Sequence, residues 1–332
     1  MGLFARFRPK AKRAELESRL GELSAQPRSG ERDRELLGLR HRLGIEAVRS
    51  PDAAAEFPDP APKPPARGEE SGCPEIRPEE LTPEVLRAAI LDAGCLLIRG
   101  LVPEAEARDL ASGIERAFET RVALRDGDRE DADAFYEELE PEAPYEVRDR
   151  GWAEEAGGVF AGDSPRLLQQ MMETFERVGL PGVIEGYLGE APLITADKTT
   201  LRKATPDVGG AWHQDGKFMG EVRALNVWLA LSRCGDEAPG MDLVPQRLDG
   251  FVPTGTEGAW LEDQVADAVA VEAAGERGIV RPVFQPGDVL LFDEFFLHST
   301  ATDPEMTKPR YAIESWFFGP SAFPSIYVPL AV

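Results

Sequence analysis

The stretch RALNVWLAL (residues 223–231) predicts a buried β-strand, because apolar, β-branched and aromatic residues fill it and turn-forming residues follow it. Similar stretches occur throughout the second half of the chain: KTTLRKA (198–204), MDLVPQ (241–246), DVLLF (288–292) and RYAIESWFF (310–318). Short strands joined by turns rich in glycine and proline predict an antiparallel sandwich or barrel.

Helices are expected before these strands. Thr82 is a favourable N-cap, Pro83 suits the first helical position, and Gly94 suits the end of the same helix. The apolar stretch CLLIRG (95–100) follows as a short strand, and another helix is expected over residues 103–120. The chain therefore predicts an α+β fold in which helices cover one face of a β core.

The part of the chain before this domain differs in composition. We divide the sequence into an N-terminal helical arm (1–50), a proline-rich linker (51–72) and a main domain (73–332). Leucines at helical spacing predict two short amphipathic helices within residues 14–48, separated at Pro27 and Gly30. The arm either packs on the main domain as a hairpin or serves in docking or dimerisation, so the oligomeric state stays open.

The composition argues against several kinds of partner. The 332 residues carry a formal net charge of −23, whereas nucleic-acid binding needs a basic surface. No apolar run reaches the length of about 18 residues that suggests a membrane span, so no membrane insertion is expected. The absence of a signal-peptide pattern and three cysteines without metal-type spacing fit a reducing cytoplasm.

An acidic segment over residues 128–146 interrupts the helical half. Phe135, Tyr136 and Tyr145 are interspersed among its carboxylates. The segment is either a solvated acidic loop or a lid whose aromatic rings close over a substrate.

Two of the three histidines lie near the ends of predicted strands. AWHQDG (211–216) places His213 and Asp215 two residues apart, so in an extended strand both would point to the same face. FDEFFLHST (292–300) places His298 just after another apolar strand. Two histidines and one carboxylate form the facial triad of non-haem iron(II) oxygenases, which leaves three coordination positions open. Each residue alone would suit a surface turn or a core histidine, but the combination predicts a metal site.

Arg310 opens the strand-like stretch RYAIESWFF (310–318). A strand arginine that points into a barrel needs an anionic partner, because an unpaired buried charge is costly. Its planar guanidinium suits a carboxylate held through two hydrogen bonds, and the far carboxylate of 2-oxoglutarate would provide one. The alternative is a surface arginine paired with an acid such as Glu314.

Together these stretches resemble the phytanoyl-CoA dioxygenase-like family over roughly residues 75–320. The resemblance is carried by WHQDG (212–216), NVWLAL (226–231), PGDVLLFD (286–293), His298, RYAIESWF (310–317) and CLLIRGLVPEAEA (95–107). It implies a double-stranded β-helix core of the jelly-roll or cupin-like kind. It also implies iron(II), 2-oxoglutarate as co-substrate, and O2. His213, Asp215 and His298 match the iron ligands, and Arg310 matches the 2-oxoglutarate arginine.

One position departs from the family pattern. Relatives often place Ser or Thr two residues after the arginine as a second carboxylate donor, but this chain has Ala312. A hydroxyl from Thr199 or Thr200 could substitute. By strand alternation, Asn226 and Trp228 could face the cavity, although ordinary packing is the favoured interpretation for Trp228.

The resemblance implies a dioxygenase that hydroxylates a small organic molecule and releases succinate and CO2. No basic cluster is positioned to receive the phosphates of an acyl-CoA. The basic residues near the site in sequence, which equally suit a small carboxylate, are Lys198, Arg202, Lys203 and Lys217. Relatives that halogenate carry Gly or Ala at the triad carboxylate, so Asp215 predicts oxygen insertion. Two alternatives remain: a cupin-like metalloenzyme without 2-oxoglutarate, and a non-catalytic binding protein on the same fold.

Overall fold

The computed structural model of this protein describes residues 4–127, 132–147, 149–207, 209–259 and 261–332. Its α-helices are α1 (Phe4–Ser24), α2 (Gly30–Arg49), α3 (Pro83–Ala93), α4 (Glu104–Arg125), α5 (Gly151–Glu155), α6 (Pro165–Arg177), α7 (Leu180–Leu188), α8 (Gly216–Met219) and α9 (Asp267–Ala274). Its strands are β1 (Glu75–Ile76), β2 (Cys95–Ile98), β3 (Gly158–Phe160), β4 (Leu193–Thr195), β5 (Thr200–Ala204), β6 (Ala224–Ala230), β7 (Gly240–Leu243), β8 (Val289–Phe292), β9 (His298–Ala301), β10 (Arg310–Phe318) and β11 (Pro329–Ala331).

The start and end of α3 follow the local sequence. The hydroxyl of Thr82 accepts a hydrogen bond from the Val85 amide at 3.2 Å, and Pro83 occupies the first turn, where no intrahelical partner is needed. Gly94 ends the helix with a φ of 74°, a left-handed conformation that glycine adopts without strain. The predicted bounds of this helix are confirmed.

The described strands form two sheets. The large sheet has the order β1-β2-β8-β6-β10-β4-β11, with β5 paired to β10 and β3. The small sheet pairs β7 with β9, so that Leu243 lies opposite His298. The α+β prediction is confirmed, and all five stretches quoted at the outset contain strands.

The two faces of the large sheet pack against different layers. On β6, Leu225, Val227 and Leu229 contact the core formed by α3, α4, α6 and α7. The alternating residues Trp228 and Ala230 face the small sheet. They pack in a second apolar cluster with residues of β7 and β8. Period-2 alternation thus places one apolar core under the helices and leaves the other face of β6 for the space between the sheets.

The N-terminal arm packs on the main domain through its second helix. α1 packs on α2, and α2 packs on α6 and β11. His41 of α2 makes a 3.0 Å hydrogen bond from its Nδ1 to the Pro329 carbonyl. Gly30 was expected to separate the helices but instead begins α2, because Ser29 caps it by accepting from the Arg32 amide. The arm is the packed hairpin of the first alternative, while a role in docking stays a prediction.

Residues of the proline-rich segment also lie on the domain surface. The Ala55 amide bonds the Gly189 carbonyl at 2.9 Å, and Arg223 donates to the Ala55 carbonyl at 2.7 Å. This contact follows from the extended backbone, whose free polar groups find partners on the surface. The domain bounds proposed from the sequence remain a prediction.

Residues 128–131 of the acidic segment lie outside the described residues. Of the remainder, Phe135 and Tyr136 are buried, and Phe135 belongs to the helical core. No described residue of the segment lines the large cavity, so its aromatic rings serve packing within the described part and not the closure of a lid. Within the described ranges, no helix has the length and apolarity to cross a membrane.

Candidate functional site

The three predicted metal ligands come together where the small sheet begins. His298 is the first residue of β9, and His213 pairs with it through reciprocal backbone hydrogen bonds of 3.0 and 3.2 Å. One ligand atom from each of His213, Asp215 and His298 can be chosen so that all lie within 4.8 Å of one another. Among the residues that the structure describes, this is the one group of three such side chains.

The predicted strand geometry of the His-x-Asp stretch is wrong. Asp215 has φ −57° and ψ −32°, a helical conformation, and stands at the start of α8. The turn is held by Gln214, whose amide donates to Phe295 and Gly250 carbonyls at 2.6 and 3.0 Å. Gly216 permits the backbone of this turn to approach that of Glu294, since a Cβ at position 216 would lie 2.8 Å from the Glu294 carbonyl oxygen. The side chains converge through a turn and not through strand alternation.

Backbone carbonyls fix the tautomer of both histidines. The Nδ1 atom of His213 lies 2.8 Å from the Ala211 carbonyl, and that of His298 lies 3.1 Å from the Phe296 carbonyl. A carbonyl only accepts, so each Nδ1 carries a proton, and in the neutral form of each imidazole the lone pair is on Nε2. Burial and the neighbouring His213 lower the pKa of His298 to about 4, so its imidazole is neutral near pH 7.

Asp215 provides the negative charge of the cluster. Its burial would raise the pKa, but the charge of Lys198 together with the neighbouring His213 and His298 outweighs that effect and lowers it. Lys198 donates to Oδ1 at 2.8 Å, while Oδ2 lies 3.6 Å from the Nε2 atom of His298. Two imidazole nitrogens and one carboxylate oxygen therefore face a common point.

Arg310 is fully buried at the start of β10. Its Nη1 donates to the Gly240 carbonyl at 2.9 Å, but Nε and Nη2 have no hydrogen-bond partner in the described part of the chain. Burial lowers the pKa of the guanidinium, which nevertheless stays charged because free arginine titrates far above neutral pH. The alternative of a surface arginine is excluded by this burial.

The triad and Arg310 line one cavity of about 530 Å³. The large sheet contributes residues of β5, β6 and β10 and the end of β8, and the small sheet contributes residues of β7 and β9. Aromatic contacts link the wall to the triad: the Phe292 ring lies 4.9 Å from the His298 ring and 5.8 Å from the Trp316 ring. The cavity therefore lies between the two sheets and has the size of a small-molecule site.

Thr199 and Thr200, the two predicted hydroxyl donors, point to opposite sides of the sheet. Thr200 lines the cavity and pairs with Glu314 across the strands. Thr199 is fully buried, and its hydroxyl lies 3.2 Å from that of Ser315, which alternates with the cavity-facing Glu314 on β10. The prediction for Thr199 is therefore corrected: its hydroxyl points to the other side of the sheet.

The expectations for Asn226 and Trp228 agree with their placement, since both line the cavity. Asn226 is buried, and its Oδ1 has no described hydrogen-bond partner. Trp212, directly beside His213, packs in a separate apolar cluster with Val265, because neighbouring residues in extended backbone face opposite ways.

The basic residues near the site have different partners. Arg202 lines the cavity and pairs with Glu314 at 3.0 Å. Lys203, on the same strand, bonds Glu115 at 2.7 Å outside the cavity. Lys217 lies over the Phe251 ring at 5.8 Å. The contact between Lys198 and Asp215 was missed from the sequence, since only the fold brings these residues together.

An α+β fold with two histidines, one carboxylate and a buried arginine around one cavity defines the class of iron(II)- and 2-oxoglutarate-dependent dioxygenases. The family model for phytanoyl-CoA dioxygenase matches residues 90–303, more than half of the chain. The chain belongs to the phytanoyl-CoA dioxygenase family, and its cofactors are iron(II), 2-oxoglutarate and O2. No curated protein sequence matches it significantly.

Several solved structures share part of this architecture. EctD from S. alaskensis, with 2-oxoglutarate and 5-hydroxyectoine, has 19% identity and a TM-score of 0.47 over 81% of this chain and 85% of its own. The carbocyclase SnoK from nogalamycin biosynthesis has 17% identity and a TM-score of 0.47 over 74% and 86%. AviO1 from Streptomyces viridochromogenes has 19% identity and a TM-score of 0.44 over 71% and 94%. The family assignment rests on the family model alone.

Proposed function

We propose that this protein hydroxylates a small organic molecule in a reaction that consumes 2-oxoglutarate and O2 and releases succinate and CO2. The observation that carries the proposal is the buried Arg310, whose unpaired N–H groups line the same cavity as the triad. A metal site alone would fit many reactions. A metal site that shares its cavity with a buried arginine whose Nε and Nη2 lack hydrogen-bond partners in the described chain fits a dicarboxylate co-substrate.

The residues of the triad fit iron(II). We propose His213 and His298 as ligands through Nε2, because their Nδ1 atoms are bound to carbonyls, and Asp215 as the ligand through Oδ2. Two imidazoles and one carboxylate on one side leave the opposite side for co-substrate and O2. When bound, the iron supplies the oxidising chemistry that inserts an oxygen atom into a carbon–hydrogen bond.

The surroundings of Arg310 fit the far carboxylate of 2-oxoglutarate. Its Nε and Nη2 offer donors to an anion, while the bond from Nη1 to Gly240 and the Trp228 ring 5.6 Å away hold the guanidinium in place. Ala312 offers no second donor. Thr200 faces the cavity further along the paired strands, opposite Glu314, and we propose its hydroxyl as the substitute.

The cavity walls suit a reaction that must keep water out. Trp228, Phe292 and Trp316 are buried and line the cavity, so three aromatic rings shield one wall of the reacting centre from solvent. The volume of about 530 Å³ must hold both 2-oxoglutarate and substrate, which favours a compact substrate. We further propose that the two sheets constitute the double-stranded β-helix that the resemblance implies.

The test uses the full chain without any substrate. Anaerobic addition of iron(II) and then 2-oxoglutarate should produce a visible metal-to-ligand charge-transfer band, because the keto acid chelates the iron. Iron(II) alone, or iron(II) with succinate, should give no band and serves as the control. A protein that binds iron(II) but never develops the band with 2-oxoglutarate would be a metalloenzyme of another class. A protein that binds no metal would favour a non-catalytic binding role.

A further inference from the structure

Lys198 is a mostly buried cation at the wall of the cavity, with 14% of its side chain exposed. Its ammonium donates to the Oδ1 atom of Asp215 at 2.8 Å and lies 5.5 Å from the centre of the Trp152 ring. Tyr327 and Glu314 are the other ionisable groups that act on it. Within the described residues, this ammonium donates its hydrogen bond to Asp215, one of the three proposed metal ligands.

The backbone around Lys198 is held on both sides, which fixes where the ammonium can reach. Lys198 lies in the turn between β4 and β5, and its amide donates to the Thr195 hydroxyl at 2.9 Å. In the same turn, the Asp197 carboxylate accepts from the Val328 amide and the Ala196 amide donates to the Val328 carbonyl, both at 2.9 Å. A cation on a fixed turn can orient its partner instead of following it.

The two oxygens of Asp215 consequently have different surroundings. Oδ1 is bonded to Lys198, whereas Oδ2 lies 3.6 Å from the Nε2 atom of His298. A carboxylate with both oxygens free can bind a metal through one oxygen or through both, and the second mode occupies an additional coordination position. A charge-assisted hydrogen bond to one oxygen favours the first mode.

We propose that Lys198 is a positioning residue for the metal centre: its ammonium restrains Oδ1, so that Asp215 binds the metal through Oδ2 alone. The triad then occupies three positions and leaves three for 2-oxoglutarate and O2. This inference rests on the proposed function, because it requires a metal at the triad. It gives Lys198 a role distinct from the substrate contact that its place in the sequence suggested.

The test compares Co(II) binding by the full-length protein and its variants, since Co(II) is stable in air and its visible spectrum reports coordination number. Lys198→Met removes the donor and its charge. Oδ1 is then free to reach the metal as well, so the Co(II) spectrum with 2-oxoglutarate should shift to that of a higher coordination number, and the dissociation constant for Co(II) should change by about 10-fold or more, the usual effect of losing an outer-shell partner. Lys198→Arg keeps a cation and should retain in part the spectrum of the unaltered protein.

Lys203→Met is the matched control, because Lys203 is also a paired lysine next to β10 but bonds Glu115 outside the cavity. Its dissociation constant and spectrum should equal those of the unaltered protein. If Lys198→Met does not fold, Lys198→Gln carries the test, since it keeps a donor without the charge and should show a smaller change of the same kind in spectrum and affinity. Unaltered affinity and spectrum in either folded variant would overturn the inference, whereas failure of the unaltered protein to bind Co(II) would refute the proposed function itself.

Discussion

Arg310 and Glu314 lie on the same face of β10, yet the guanidinium Nη2 ends 4.0 Å from the carboxylate Oε1. This separation is beyond hydrogen-bonding reach. Glu314 is instead paired with Arg202 at 3.0 Å. The Nε and Nη2 groups of a fully buried arginine thus remain available to a partner that is not part of the described chain.

The first prediction concerns this arginine. Arg310→Leu should weaken 2-oxoglutarate binding while leaving metal affinity unchanged, because the side chain touches no triad residue. Loss of one partner of a buried charge pair costs on the order of 2–5 kcal/mol, so the dissociation constant should rise at least about 30-fold. Titration of 2-oxoglutarate against the charge-transfer band measures it.

Arg281→Leu provides the control for this measurement. Arg281 bonds Asp242 at 2.8 and 3.0 Å, and Asp242 alternates on β7 with the cavity-facing Met241. The same substitution there should leave 2-oxoglutarate affinity unchanged. If Arg310→Leu folds and binds 2-oxoglutarate as tightly as this control does, Arg310 has only a structural role.

The second prediction concerns the N-terminal arm. No residue before position 152 lines the cavity in the described part of the chain, so shortening the arm should not alter the metal dissociation constant. Removal of residues 1–28 deletes α1, which packs on α2 and helps to bury Leu36 and Leu39, so the midpoint of thermal unfolding should fall while metal affinity stays unchanged.

Removal of residues 1–72 should behave differently. It uncovers the faces of α6 and β11 that α2 covers, and each large apolar side chain lost from such a contact costs about 1.5–3 kcal/mol. We therefore expect a strong loss of stability, with metal affinity retained in the fraction that folds. A folded protein without residues 1–28 that no longer binds metal would contradict the assignment of the site to the main domain.

Much of the fold was predictable because its signals are local. The cap at Thr82, the left-handed Gly94 and the alternation in residues 224–230 each depend on neighbours in sequence. The arm was harder, because Gly30 resembles a helix breaker. Only the hydrogen bond from the Arg32 amide to Ser29 identifies it as the first residue of a capped helix.

The chemistry of the site was predictable in type but not in geometry. His213, Asp215, His298 and Arg310 were identified from residue type and spacing, and the structure brings all four to one cavity. The turn at Asp215 depends on contacts of Gln214 with residues distant in sequence. The contact of Lys198 with Asp215 likewise arises from tertiary packing, which no local pattern encodes.

The third prediction concerns Asp197 and the dependence of stability on pH. Burial raises the pKa of its carboxyl from 3.8 to about 6. A raised folded-state pKa favours folding fully below about pH 4, and this contribution is lost as the pH rises through about 6. Asp197→Asn removes the titration while its amide oxygen can still accept from Val328. The free energy of unfolding of the variant, relative to the unaltered protein, should therefore increase between pH 4 and pH 7.

The expected increase is roughly 1–3 kcal/mol, from about 1.4 kcal/mol for each unit of pKa shift. Denaturant unfolding of both proteins across this pH range measures it. Asp52→Asn controls for the change in net charge, because the Asp52 side chain is 90% exposed. Its free energy of unfolding should differ from that of the unaltered protein by the same amount at every pH. If the difference in free energy of unfolding between Asp197→Asn and the unaltered protein is also independent of pH, burial does not raise the pKa of Asp197.

The last prediction concerns Asp215 and the type of reaction. If Asp215 is a metal ligand as proposed, its carboxylate fills a coordination position that halide would otherwise need, so the unaltered protein should insert oxygen even in chloride-containing buffer. Asp215→Ala should bind Co(II) much more weakly, because one of three ligands is lost and the Lys198 ammonium, 2.8 Å from Oδ1, loses its partner. With an identified substrate, mass analysis of the product and succinate release should show hydroxylation lost in this variant. A chlorinated product from the unaltered protein, or full hydroxylation by Asp215→Ala, would refute Asp215 as a metal ligand.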